Sequence, residues 1–199
     1  MGCKHCNAMA IYRCSICGKL LCGEHTKLRT VCSACIKKTA SKYTMAKVMT
    51  TRERETIREF VQRFWGEEEQ LTFNEKFIVS KLPAFVAKAE SRIVGFISFA
   101  EIKNAIIVVA LGVLPEYQSS GVGRSLIEKV EDEAKRTRKN RLLVSTSNDD
   151  LPALAFYQTL GFQLFEVKPN VIAEKHGKIV EGIGGLPVRD ELRLQKILC

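Results

Sequence analysis

The chain has 199 residues, of which 46% are hydrophobic, and a formal charge of +9, a size that suits one ordinary domain plus a module too short to build a core of its own. Its longest apolar run, Ala105 to Leu114, is half of what a bilayer span needs, and the start Met1-Gly2-Cys3-Lys4 lacks the apolar segment of a secretory signal. A soluble, cytoplasmic protein with no membrane partner is expected; an N-myristoylation reading of Gly2 fails because Cys6 stands where that motif wants Ser or Thr.

The first forty residues are set apart by their cysteines. Seven of the eight fall between Cys3 and Cys35, in the pattern Cys3-x2-Cys6, Cys14-x2-Cys17, Cys22-x2-His25, Cys32-x2-Cys35. Four pairs supply eight soft ligands, enough for two closed tetrahedral Zn²⁺ sites of the structural kind. The odd cysteine count in the cluster and the presence of His25 favour metal over disulfides, with a redox pair or an iron–sulfur cluster as lesser alternatives. So short a segment cannot fold on apolar burial alone, and metal binding would supply most of its folding free energy. His5 is read as a bystander. The module carries seven Lys or Arg against Glu24 alone; thiolates and metal together would halve this +6 excess. A nucleic-acid partner is therefore compatible with the charge but not demanded by it. With Tyr12 as the only aromatic, a protein partner is favoured. The boundary is placed at Thr39-Ala40-Ser41-Lys42, which divides the chain into 1–40 and 41–199.

Beyond it, Tyr43 to Met49 reads as a strand. Thr51 to Glu55 reads as a helix N-cap and first turn, with Ile57, Phe60, Val61, Phe64 and Trp65 at core-facing helical spacing. Ala84 to Lys88 and Ile93 to Ile102 alternate as two strands joined at Glu90-Ser91-Arg92. Ala105 to Val113 is β-branched and nearly unbroken, as a strand covered on both faces would be. Leu126, Ile127, Val130 and Ala134 mark an amphipathic helix from Gly123 to about Lys139. Arg141 to Ser145 (strand), Leu151 to Leu160 (helix, stopped by Gly161), Gln163 to Val167 (strand) and Leu192 to Leu198 (strand) follow. The two dozen residues before the last strand, with Gly182-Ile183-Gly184-Gly185 among them, form a candidate substrate-side loop. Hairpins followed by a β-α-β-α-β run predict an α/β class with a mixed sheet flanked by helices.

The most informative segment is Leu111-Gly112-Val113-Leu114-Pro115-Glu116-Tyr117-Gln118-Ser119-Ser120-Gly121-Val122-Gly123-Arg124-Ser125. A strand runs through a Gly-containing turn into a helix, which makes a nest of free N–H groups able to hold a pyrophosphate. A dinucleotide-binding fold is excluded, since an antiparallel pair precedes the strand and no acidic residue follows at the right place.

Val113, Pro115, Gln118, Gly121 and Gly123 closely resemble the V-x-P-x-x-(Q/R)-x-x-G-x-(G/A) turn of the GNAT acetyltransferase superfamily. Asn148, Ala153, Ala155, Phe156, Tyr157, Leu160, Gly161 and Phe162 resemble its N-x-x-A-x-x-(F/L)-Y-x-x-x-G-F signature, loosely at the start and well from Phe156 onward. The ending Pro187 to Leu192 is similar to a GNAT subgroup. The resemblance implies a GNAT-type fold and acetyl-CoA as cosubstrate, with its pyrophosphate on the Gln118, Ser119, Ser120, Gly121, Val122, Gly123, Arg124 and Ser125 turn. It implies that N–H groups near Leu111 and Val113, where the strand splays around Gly112, hold the thioester oxygen; a glycine in a strand equally fits a packing accommodation. Tyr157 would protonate the leaving thiolate as general acid, a core tyrosine being the alternative. Asn148 would fix the coenzyme A arm, or else cap the following helix. Glu101, Glu116 and Glu191 lie near strand ends as base candidates, each more simply read as a solvated surface charge.

The cysteine module resembles cross-brace zinc fingers of the B-box and treble-clef type. That arrangement implies one ion held by Cys3, Cys6, Cys22 and His25 and the other by Cys14, Cys17, Cys32 and Cys35, with sequential pairing as the alternative. The expected whole is an N-acetyltransferase acting on a primary amine, on a protein, with a zinc module for recruitment. The alternatives are a zinc-dependent adaptor with an inactive or coenzyme-A-sensing domain, and a small-molecule amine acetyltransferase.

Overall fold

A seven-stranded sheet organises the chain, in the order β10-β13-β9-β8-β7-β6-β3. The structure, a computed structural model, describes residues 2–6, 8–10, 12–13, 19–22 and 43–198. The strands are β3 (Tyr43–Lys47), β6 (Ala84–Ala89), β7 (Arg92–Glu101), β8 (Ala105–Val113), β9 (Arg141–Ser147), β10 (Gln163–Lys168) and β13 (Glu191–Ile197). Every neighbouring pair is antiparallel except β8 with β9, so the sheet is mixed, as the order of elements predicts. A short pair, β1 (Tyr12–Arg13) with β2 (Leu20–Leu21), lies in the N-terminal segment.

Helix α1 (Thr51–Trp65) opens with a capping box on Thr50, one residue before the expected Thr51: Thr50 Oγ1 accepts from Glu53 N–H, while Glu53 Oε2 accepts from Thr50 N–H. Ile57, Phe60 and Val61 are buried, but Trp65 at the helix end stays 41% exposed, a departure from the expected core face. Helix α2 (Val122–Arg136) crosses the sheet on Leu126, Ile127, Val130 and Ala134, all buried. Helix α3 (Leu151–Thr159) is capped by Asp150, whose Oδ1 accepts from Ala153 N–H at 3.0 Å.

Two regions add structure to the sequence reading. Residues 69–78 form the hairpin β4 (Glu69–Thr72) and β5 (Glu75–Ile78), which lays Phe73 and Phe77 on Ala105, Ile107 and Leu143. The long stretch before β13 is not a bare loop. It contains the one-turn helix α4 (Val171–His176) and the small hairpin β11 (Val180–Glu181) with β12 (Pro187–Val188), closed by a turn at Ile183–Gly185.

Candidate active site

Strands β8 and β9 pair only from Ala105↔Arg141 to Val108↔Val144. Beyond Val108 the two part, β8 continuing along β7 and β9 along β13, which opens a wedge between neighbouring strands in mid-sheet. The cause is local. The pairing of β7 with β8 steps from Phe99↔Val108 to Ser98↔Ala110, so Val109 is a one-residue bulge that bends β8 away. The sequence reading places the irregularity at Gly112; it lies three residues earlier, at Val109.

The bulge also sets which backbone groups face the gap. Leu114 N–H donates to Val94 O on the β7 side at 2.9 Å. Strand alternation then turns the N–H groups of Leu111 and Val113 the other way, to the edge that lines the wedge. Val113 O agrees, since it accepts from Gln118 Nε2 at 2.9 Å outside the sheet.

Past β8 the chain makes a 3-10 turn at Pro115–Tyr117 and reaches α2 through Ser119 and Gly121, both with positive φ (64° and 98°). For Gly121 this conformation carries no side-chain penalty. Ser120 Oγ donates to Tyr117 O at 2.5 Å. Gln118 therefore braces the turn through Val113 O rather than projecting from it. Gly121 caps α2 without any side-chain bond, and the first intrahelical bond is Ser125 N–H to Gly121 O. The N–H groups of Val122, Gly123 and Arg124 are left free at the positive end of the helix, with no acidic residue in the first turn. This is a cradle for a polyanion.

Gly123 has a second reason to be glycine: a Cβ there would lie 3.2 Å from Phe156 Cζ, so α2 and α3 meet closely at the turn. Ser125 Oγ lies 3.1 Å from Tyr43 Oη, which brings the first residue of β3 to the same place. Tyr157 is buried between Phe156 and Phe162, with ring centroids 5.2 and 5.6 Å away. Burial, with a smaller contribution from the negative charge of Asp150, pushes its phenol well above the usual tyrosine range. It stays a proton donor at any physiological pH.

Residues 50–162 match the model of the acetyltransferase (GNAT) family. The chain belongs to the acetyltransferase (GNAT) family. It is an acyl-CoA-dependent N-acetyltransferase. It is 30% identical over 148 residues to the uncharacterized protein YdhI of Bacillus subtilis (strain 168), covering 71% of this chain and 91% of that one. Two solved structures share the fold. One is a GNAT family acetyltransferase from Elizabethkingia anophelis with acetyl-CoA bound, at TM-score 0.58 and 16% identity, covering 78% of this chain and 98% of that chain. The other is the ribosomal-protein-S18-alanine N-acetyltransferase from Escherichia coli, at TM-score 0.58 and 16% identity, covering 79% and 94%.

Within this GNAT fold the remaining expected site residues are distributed unevenly. Asn148 neither caps a helix nor projects into the wedge. Its Nδ2 donates to Pro187 O at 2.7 Å, and its Oδ1 accepts from Arg189 and Asp190 N–H, so its amide is occupied in clamping the segment that leads into β13. Counting back from Ala153, the signature's N-x-x-A spacing falls on Asp150, the actual helix cap. Of the three base candidates, Glu101 lies 4.0 Å from Lys139 and Glu116 3.3 Å from Arg92, both substantially exposed. Glu191 is 3% exposed and bound by Arg193 at 2.8 Å.

In the N-terminal segment the sulfurs of Cys3, Cys6 and Cys22 lie within 4.8 Å of one another, with Cys6 and Cys22 Sγ 3.7 Å apart. Backbone bonds hold the loop that presents them: Cys3 N–H donates to Ala8 O and Lys4 N–H to Leu20 O, each at 2.9 Å. Cys14, Cys17, His25, Cys32 and Cys35 lie outside the described residues. Among the described residues no helix is long and apolar enough to cross a membrane.

Proposed function

We propose that the protein transfers the acetyl group of acetyl-CoA to a primary amine on a protein acceptor, in the cytoplasm, and that residues 1–40 form a two-zinc module which recruits that acceptor to the transferase domain of residues 41–199. The observation that carries the transfer reading is the wedge between β8 and β9, with free N–H groups along one edge, a polyanion cradle at its mouth and a buried phenol nearby.

The N–H groups of Val122, Gly123 and Arg124 hold the pyrophosphate, and the positive helix end adds to their attraction. The arm then lies in the wedge, where the N–H groups of Leu111 and Val113 meet the thioester oxygen. As the amine adds to the carbonyl carbon this oxygen becomes an oxyanion, and fixed donors of this kind are worth about 3 kcal/mol each. Tyr157 gives its proton to the sulfur as the carbon–sulfur bond breaks. Its raised pKa makes the phenol a weak acid, but the departing thiolate is buried too and is correspondingly more basic.

The three clustered thiols fit a borderline-soft ion such as Zn²⁺, and Cys3, Cys6 and Cys22 are three of the four ligands that a cross-brace assigns to one site, with His25 as the fourth. A protein acceptor accords with such a module and with the acceptor that the name of the Escherichia coli neighbour states.

Calorimetric titration with acetyl-CoA tests the transfer reading. Wild-type protein should bind, and Gly123→Val, which puts a side chain against Phe156 and the cradle, should abolish binding while the zinc content stays at two ions per chain. Absence of binding by the folded, zinc-loaded wild type would sink it. Removal of residues 1–40 tests recruitment: it should depress acetylation of a protein acceptor and spare that of a free amine.

A further inference from the structure

The acceptor must enter the wedge from some wall of it, and β8 is already taken by the thioester. The opposite wall is β9. Its first residue beyond the last β8 pair is Ser145, half-buried, on the same face as Leu143 and therefore under the β4–β5 hairpin.

Ser145 is one end of a chain of polar groups that leads inward. Its Oγ lies 2.6 Å from Thr72 Oγ1, and Thr72 Oγ1 lies 3.5 Å from Glu191 Oε1. Thr72 is 4% exposed and Glu191 3%, so only the Ser145 end meets the gap. Glu191 is held from two further sides. Phe73 N–H donates to Oε1 at 3.0 Å, and Arg193 Nε donates to Oε2 at 2.9 Å. Arg193, 5% exposed, also donates to Glu166 Oε2 at 2.9 Å and to Asn74 Oδ1 at 2.5 Å, and its guanidinium stands 4.9 Å from the Phe73 ring centre. Lys168 pairs with Glu166 from the outer side.

The direction of these bonds follows from inventory. An ionised carboxylate only accepts, so Thr72 donates to Glu191; Ser145 must then donate to Thr72, and its own lone pairs are left facing the gap. A hydroxyl presented only as an acceptor, with a buried anion behind it, suits a group that brings N–H bonds and positive charge.

We infer that Ser145, Thr72 and Glu191 form the subsite that receives the acceptor as a primary ammonium ion and removes its proton. The inference rests on the acetyl-transfer reading above. The ammonium N–H donates to Ser145 Oγ. That N–H bond breaks with its electron pair left on nitrogen, Ser145 passes its own hydroxyl proton to Thr72, and Thr72 passes its proton to Glu191 Oε1. The neutral amine so formed attacks the thioester carbon, and the second proton that nitrogen sheds in becoming an amide goes to the Tyr157 phenolate left once the phenol has protonated the departing sulfur. Each hydroxyl gains one proton and gives one, and Glu191 ends as a neutral acid. Arg193 is not stranded by this, because Glu166 remains its partner. The 3.5 Å step is long, and it tightens when a charged donor arrives at Ser145. The same chain in reverse returns the proton to water after the product leaves.

The test uses the full chain with spermidine, an alanine-initiated peptide and a lysine peptide blocked at its N-terminus. For whichever amine the wild type acetylates best, Ser145→Ala and Thr72→Val should each lower kcat/KM by about 100-fold, with acetyl-CoA affinity unchanged by calorimetry. Their pH profiles should also change: without the relay the amine must arrive neutral, so the acid limb moves up towards the amine's own pKa. Glu191→Gln should do the same if it folds, and the two hydroxyl variants decide the matter if it does not. Wild-type kcat/KM and pH profile in both hydroxyl variants would overturn the subsite while leaving acetyl transfer intact. A wild type that neither binds acetyl-CoA nor acetylates any of the three overturns both.

Discussion

One oxygen of Asn148 accepts two consecutive backbone N–H groups, those of Arg189 at 2.9 Å and Asp190 at 2.8 Å, while its nitrogen donates to Pro187 O. The end of β9 is thereby stitched to the run-up of β13 about forty residues later, and the β11–β12 hairpin hangs from the stitch.

Replacing Asn148 by Ala removes all three bonds and leaves two N–H groups to find water. The expected cost is about 2 kcal/mol, read as a fall in Tm of about 4–8 °C for a chain of this size. Limited proteolysis should then cut first between residues 177 and 188. Unchanged Tm would mean that the amide is free for another partner.

Gly112 faces the ring of Phe96, and a Cβ on it would sit 2.7 Å from Phe96 Cε1. Phe96 is buried and packed edge-on against Phe60, with centroids 5.8 Å apart, so it has little room to yield. Gly112→Ala should therefore destabilise the fold by about 1–3 kcal/mol through overpacking. It should also lower kcat more than it weakens acetyl-CoA binding, because the strand that shifts carries the Leu111 and Val113 N–H groups. Denaturant unfolding and steady-state kinetics on one preparation check both halves.

Tyr157→Phe keeps the ring packing and deletes the proton. A kcat loss of about 100-fold or more is expected, with acetyl-CoA affinity retained. The raised pKa has two signatures in the wild type. No alkaline limb from this phenol should appear in activity up to pH 10. Its neutral form is favoured by the fold, so the associated stability is fully present below the unfolded tyrosine value of 10.0 and is lost as pH rises through the folded value. A pH-dependent Tm series on wild type and variant separates the two.

Glu166 and Asp190 are held below the usual carboxylate range by their Lys and Arg partners, and Glu53 and Glu133 are held lower still. Glu53 is held down to about 2 by the Lys88 ammonium and by the N–H groups of Met49 and Thr50, and Glu133 to about 2 by Arg136 and then Lys47, against its own burial. Both are depressed below the unfolded value of 4.5, so their contribution is present above pH 4.5 and is lost as pH falls towards 2. Glu133→Gln should flatten part of that loss and lower Tm at neutral pH. An acid melt with the same slope in both proteins would contradict the assignment.

Much of this was legible from the chain because its signals are local. The β-branched run of β8, the apolar stripe of α2 and the turn between them each occupy one stretch of sequence, and together they carry the wedge and the cradle. What escaped is held by distance. The β4–β5 hairpin is short and mostly polar, and its turn uses Phe73 and Asn74 at φ 51° and 64°, where only the Asn is a familiar choice. Its packing on Ile107 and its bonds to Glu191 depend on residues tens to more than a hundred positions away. Thr72 and Ser145 are unremarkable as sequence; only the register of β9 against β8 and the folding back of the hairpin make them neighbours. Asn148 looked like the signature residue because it is the nearest asparagine to the right spacing.

The single unpaired residue in β8 sets a phase for everything beyond it. Ile106 and Val108 must point into one core layer, and Leu111 and Val113 must turn their N–H groups to the edge that lines the wedge; with a strict two-residue repeat and no bulge, those demands belong to different registers. Deletion of Val109 would force the strand to keep one and abandon the other. The enzyme would then lose the N–H groups proposed to hold the thioester oxygen, with every side chain of the site still in place.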